Sequence, residues 1–227
     1  AVLQILVVIR ILSGQEFFQK NSFNRFHFKQ VLGQAGPMLM VTLLASSGTW
    51  VVGRLILNDA GPHEFAAYAI GLQWFSIALI LPGMISRVTL PRIIHANKSS
   101  AGDTRRSVVI EAAKLTISAS LFIAILGILC SRSLMAFYGG EFEDFAWMLA
   151  AFMVATVIAA PINTVANALI AADRQVAWLY MTAGWFVVLA GFAFLFSSHG
   201  ALAGAMSQCI AFLVLGCLLW CYILKTN

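Results

Sequence analysis

Six near-continuous apolar stretches fill the chain beyond residue 34: Ala35–Leu57, Phe65–Val88, Ala112–Ser133, Phe145–Ile170, Val176–Phe196 and Ala201–Leu224. At 1.5 Å of rise per residue, roughly 20 residues of helix cross the ~30 Å hydrocarbon layer of a bilayer. Each stretch has that length, and no water-soluble fold requires the pattern six times running. Inside lipid every backbone N–H and C=O must find its partner within the protein, which makes these stretches helices. The sequence therefore predicts an all-α, polytopic membrane helix bundle with six full transmembrane helices. Any function has to be performed within or across a membrane.

Composition agrees: 61% of residues are hydrophobic and only 10% charged, where a soluble domain carries about a quarter charged residues. The net charge of +5 does not imply nucleic acid, because the basic residues gather in alternate loops. Twelve of the 14 Lys and Arg fall in or beside Leu12–Gln34, Thr89–Glu111, Ala171–Gln175 and the C-terminus. Arg54 and Arg132 alone accompany Asn58–Glu64, Ser131–Asp144 and Ser197–Gly200. Such asymmetry encodes orientation, with the basic side and hence the C-terminus cytoplasmic. Thr89–Glu111 and Ser131–Asp144 are expected as loops, and Asn97–Asp103 as a flexible polar one.

Residues 1–34 have a different character. The chain opens on Ala1 within an apolar run, Ala1–Leu12, without the basic start or small-residue cleavage site of a signal peptide. It reads as the tail of a truncated transmembrane helix. Phe23, Phe26, Phe28, Val31 and Leu32 alternate with Arg25, His27, Lys29 and Gln30, the pattern of an amphipathic cytoplasmic connector. Residues 35–227 then form the bundle.

Enzymatic motifs are missing: there is no phosphate-binding GxxxxGK[ST], no HExxH and no GxSxG. His27, His63, His95 and His199 are scattered, and Cys130, Cys209, Cys217 and Cys221 lie in apolar helix without ligand spacing. Neither catalysis, a metal nor a cofactor is expected. The distinctive residues are polar ones on apolar helices. Ser47, Trp50 and Arg54 share one face; Gln73, Ser76, Gly83 and Arg87 share another; Thr156, Asn163, Asn167 and Arg174 form a third. Polar groups facing lipid are costly, so these stripes are expected to face other helices or a wet cavity. Arg54 and Arg87 are either snorkelling to headgroups or lining a cationic route, since a guanidinium binds phosphate oxygens bidentately. No Asp or Glu falls near the middle of a full span. Pro37, Pro82, Pro91 and Pro161 are expected to interrupt or bend their helices.

The order of several short motifs carries a resemblance. Ala67-Tyr68-Ala69-Ile70-Gly71-Leu72 leads to Pro82-Gly83-Met84-Ile85-Ser86 and Leu90-Pro91-Arg92. Tyr138-Gly139-Gly140-Glu141-Phe142 precedes Pro161-Ile162-Asn163, and that span ends in Ala168-Leu169-Ile170-Ala171-Ala172-Asp173-Arg174-Gln175. Gly200-Ala201-Leu202-Ala203-Gly204-Ala205-Met206 opens the last helix. In this order they resemble the C-terminal half of bacterial O-antigen and polysaccharide flippases, of the multidrug/oligosaccharidyl-lipid/polysaccharide exporter superfamily. The resemblance implies a two-bundle transporter in the bacterial inner membrane, of which this chain supplies the second bundle. It implies alternating-access transport of an undecaprenyl-diphosphate-linked oligosaccharide, beside membrane lipids, an N-terminal half and polysaccharide polymerase machinery as partners. Arg54 and Arg87, by helix position, would meet the diphosphate or acidic sugars, with Gln73, Ser76, Trp50, Asn163 and Asn167 completing the lining. A cation-coupled multidrug exporter of the same superfamily, a membrane-embedded glycosyltransferase or polymerase and a non-transporting scaffold are the alternatives.

Overall fold

The computed structural model describes residues 25–98 and 102–225. Among them every regular element is helical. We label the helices α1 (Arg25–Asp59), α2 (Pro62–Ala78), α3 (Ile80–Lys98), α4 (Gly102–Leu129), α5 (Ser131–Ala136), α6 (Ala146–Ala171), α7 (Gln175–Phe196) and α8 (Gly200–Lys225). Short 3-10 turns at Gly140–Phe145 and Ser197–His199 precede α6 and α8. The chain divides into two units, Ala1–Gly36 and Pro37–Asn227, and the second contains the bundle. The truncated helix expected over Ala1–Leu12 lies outside the described residues.

Five helical stretches are long and apolar enough to cross a membrane: Ala35–Asp59, Pro62–His95, Ser107–Leu129, Gly140–Ala171 and Gln175–Tyr222. The sequence reading expected six. The difference lies at the end, where Val176–Phe196 and all but the last two residues of Ala201–Leu224 fall within one stretch of 48 residues. The 3-10 turn at Ser197–His199 keeps its helical character continuous. That stretch is nevertheless not one rod. Gly200, at φ 67°, turns the chain in a conformation that only glycine adopts without strain. Trp185 and Phe212 then meet at 5.6 Å between ring centroids. At the open end Arg174 Nη1 donates to the Tyr222 hydroxyl at 3.2 Å. Thus α7 and α8 run antiparallel as a hairpin.

Helix α6 is the core. Ala155, Ala159, Ala160, Ala166 and Ala168 are buried along it, together with Thr156 and Thr164. Small side chains let neighbouring backbones approach closely, which matters because lipid tails provide no hydrophobic drive between helices. On α2, Gly71 receives the Phe152 ring so closely that an added Cβ would lie 2.6 Å from it. Tyr68 fills the corresponding notch at Gly204 of α8. Inter-helical hydrogen bonds add specificity: Thr116 and Thr164 hydroxyls lie 3.2 Å apart, fully buried. The outer face of α4, with Leu121, Phe122, Ile125 and Leu129 exposed, presents the apolar surface expected toward lipid.

Several expected loops are shorter or more ordered. Helix α3 continues to Lys98 and α4 begins at Gly102, so most of Thr89–Glu111 is helical. Buried Ile93 and Ala112 hold the two flanks to the bundle. Ser131–Asp144 contains α5 and a 3-10 turn, tied down where Phe142 stacks on His63 at 5.0 Å. Pro37, Pro91 and Pro161 sit inside continuous helices, so none of the three interrupts its helix. Each costs its helix a single backbone bond, which continuing turns tolerate. Only upstream of Pro82 is the helix interrupted, at Leu79: Pro82 has no N–H to give the Ala78 carbonyl four residues back, while the Leu79 carbonyl still accepts the Gly83 N–H at 2.9 Å.

Candidate functional site

A groove of about 400 Å³ runs between α1 and α2. Thr49, Trp50, Gly53, Arg54 and Leu57 supply the α1 side, successive turns of one face. The α2 side is Phe65, Tyr68, Ala69 and Leu72. Gly53 carries no side chain and the Phe65 ring packs into that space, where a Cβ would stand 2.9 Å from it, while the small Ala69 leaves the groove open beside it. Tyr68, buried beneath, forms the floor.

The electrostatics of this groove are set by what Arg54 lacks. Arg54 is exposed and has no hydrogen-bond or ion-pair partner among the described residues. The acids nearest in sequence are engaged elsewhere. Asp59 accepts a hydrogen bond from the Ser197 hydroxyl. Glu64 Oε2 accepts the Ala201 backbone N–H at 2.7 Å, capping the N-terminus of α8. By contrast, Arg132 pairs with Glu143 at 3.0 Å and Arg174 is held by Tyr222. The groove therefore offers one uncompensated guanidinium above an apolar bed.

The structure brings only two of the sequence-predicted residues together and disperses the rest. Trp50 and Arg54 line the groove together. Gln73 and Ser76 are exposed farther along α2, where Ser76 donates to the Leu72 carbonyl at 2.8 Å and so meets its own hydrogen-bonding need. Arg87 is exposed on α3 and, like Arg54, has no partner among the described residues. It does not share Arg54's site. Arg54 lies little more than a turn before the end of α1, and Arg87 roughly 25 residues into the return path; at 1.5 Å per residue about 30 Å of bundle separates them. Asn163 is exposed on α6. Asn167 is a tie between helices: its Nδ2 donates to Ser86 Oγ at 2.8 Å.

Sequence reading missed the apolar part of the groove. Phe65, Tyr68, Ala69 and Leu72 follow helical spacing that could equally face a core, and only the glycine at Gly53 hinted at a recess. It also missed that Asp59 and Glu64 bind the α7–α8 turn rather than solvent. No group of three or more His, Cys, Asp and Glu fit to hold a metal occurs among the described residues. No protein-family model, curated protein or solved structure matches this chain.

Proposed function

We propose that the chain is the membrane bundle of a transporter that passes a lipid-linked oligosaccharide across a bacterial inner membrane by alternating access. The observation that carries this reading is the unpartnered Arg54 guanidinium in an otherwise apolar groove. An uncompensated cation beside apolar side chains suits an anionic amphiphile, and a diphosphate offers oxygens for bidentate hydrogen bonds. Gln73, Ser76 and Arg87, which recur at helical spacing, are likewise exposed along α2 and α3. Their exposure supports a wet seam closed by a second bundle, the N-terminal half implied by the resemblance to polysaccharide flippases.

In this reading α7 and α8 are two separate crossings, giving six in all. The positive-inside rule puts the Arg87 end and the C-terminus in the cytoplasm and the Arg54 end outside. The headgroup would then meet Arg87 on entry and Arg54 on exit, roughly one bilayer thickness away. Polysaccharide polymerase machinery on the outer side is the partner that would consume the product.

The test is export in cells that carry the complete transporter with Arg54→Ala as the sole change. Loss of surface polysaccharide with normal membrane insertion is expected. Undiminished surface polysaccharide would remove Arg54 from the route and with it the main support for the reading.

A further inference from the structure

The connection from α4 to α6 crosses one end of the bundle, and its exposed side chains do not suit water. Phe137 and Trp147 are 86% and 81% exposed, the two most open large hydrophobic side chains among the described residues. This is not the exposure of a loose loop. Buried Ser131 and Met135 hold α5 against the bundle. Phe142 and Phe145 pack on His63 of α2, and Arg132 pairs with Glu143 at 3.0 Å across the segment. Folding fixes the connection and still leaves two apolar rings uncovered.

The surface beside it faces lipid. Leu121, Ile125 and Leu129, four residues apart on α4, form an exposed apolar stripe that runs out just before α5. One close contact sets the helix levels: a Cβ on Gly127 of α4 would stand 2.5 Å from the Met153 sulfur of α6. Counting from that contact toward α5 at 1.5 Å per residue, Leu129 is about 3 Å and Trp147 about 9 Å farther along. Trp147 therefore lies roughly one helical turn beyond the last aliphatic residue of the stripe. In the other direction, the roughly 20 residues of helix that cross ~30 Å of hydrocarbon lead from Trp147 to Asn167. Asn167, bonded to Ser86 beside the charged Arg87, is polar as a second boundary requires.

We propose that this connection is a lipid-anchored foot. Phe137, Tyr138 and Trp147 seat α5 in the layer between headgroups and acyl chains, and the acidic 3-10 turn after it stays on the water side. Rings with an apolar body and one polar atom, as in Tyr138 and Trp147, favour that layer. Charge does not bring the foot there. Glu143 answers the Arg132 guanidinium, and the exposed charges left over, Glu141 and Asp144, are acidic, so anionic headgroups repel them. The partner is the interface common to all bilayer lipids. Such a foot works in either orientation of the bundle, with or without transport.

The test is nitroxide labelling of the full chain in vesicles, with the native cysteines replaced and one new cysteine at a time. Phe137→Cys and Trp147→Cys report the foot, each leaving the other ring in place. Phe122→Cys reports the hydrocarbon beside α4, and Glu141→Cys reports water. The quantity read is the ratio of collisions with oxygen, which concentrates in lipid, to collisions with a neutral nickel chelate, which concentrates in water. At the Phe137 and Trp147 positions this ratio is expected to be several-fold above the Glu141 value and several-fold below the Phe122 value. It should be the same in phosphatidylcholine vesicles and in vesicles of equal parts phosphatidylcholine and phosphatidylglycerol. A ratio equal to the Glu141 value would place the connection in water and overturn the foot. Few collisions with either reagent would mean that protein, such as a second copy of the chain, covers the rings, which overturns it too. A ratio that rises with anionic lipid would overturn anchoring without charge.

Discussion

Glu64 on α2 accepts the backbone N–H of Ala201 at 2.7 Å, so the first turn of α8 is capped by a side chain from 137 positions away in sequence. The carboxylate satisfies an N–H that has no intrahelical partner and lies at the positive end of the α8 dipole. Gly200 makes the approach possible, because a Cβ there would collide with the Glu64 carboxylate, and its φ of 67° with ψ −144° is essentially closed to other residues. Glu64→Ala should cost about 1 kcal/mol, the usual loss of a helix cap. Gly200→Ala should cost more, about 1–3 kcal/mol, since backbone strain is added to the collision. Equilibrium unfolding in mixed micelles would measure both. A Gly200→Ala protein as stable as wild type would contradict the geometry.

Arg87 and Arg132 are both exposed, but of the two only Arg132 has a carboxylate partner among the described residues. An exposed ion pair contributes little, roughly 0–1 kcal/mol, so Arg132→Ala should leave both stability and export near wild type. Arg87→Ala removes a guanidinium that has no partner among the described residues. Losing one charge-assisted hydrogen bond to a phosphate, about 1.5–3 kcal/mol, corresponds to a fall in export of at least about tenfold. Quantifying surface polysaccharide alongside membrane abundance separates transport from folding. Equal export by the two variants would dissociate free charge from function.

Much of the bundle was legible because lipid leaves the backbone no choice. The spans Ala35–Leu57 and Phe145–Ile170 needed only length and apolarity, and both lie within helices whose ends differ from them by few residues apart from the N-terminal extension of α1. The joins were not legible, because they depend on contacts distant in sequence. Asn97–Asp103 looks like a loop by composition, yet helix flanks it closely on both sides. Phe142 and Phe145, in the segment after α5, pack against His63, about 80 positions away in sequence. The candidate site divided in the same way. The pairing of Trp50 with Arg54 follows from helical spacing, since they are one turn apart. Whether a polar residue is open or engaged does not follow from spacing: Asn163 and Asn167 share a stripe, but Ser86 on another helix occupies only Asn167.

The Asn167–Ser86 bond therefore gives a test of packing rather than of transport. It links α6 to α3, and Ser86 is buried. A double-mutant cycle of Asn167→Ala and Ser86→Ala should return a coupling of about 0.6 kcal/mol, typical for hydrogen bonds between membrane helices. Asn163→Ala, at an exposed position without a partner among the described residues, should show no coupling to Ser86. A coupling of zero for the first pair would mean that the contact does not hold the helices together.

Orientation can be tested independently of any substrate. Glu141 and Asp173 are both exposed, beside the two ends of α6. A helix of 26 residues is about 39 Å long, enough to carry its ends to opposite sides of the ~30 Å hydrocarbon layer. In the proposed orientation Asp173, next to Arg174, would face the cytoplasm and the acidic cluster Glu141, Glu143 and Asp144 the outside. In a background with the native cysteines replaced, Glu141→Cys should react with a membrane-impermeant maleimide in intact spheroplasts. Asp173→Cys should react only after permeabilisation. The reverse pattern would invert the bundle and exchange the entry and exit roles of Arg87 and Arg54. Labelling of both from one side would rule out α6 as a crossing.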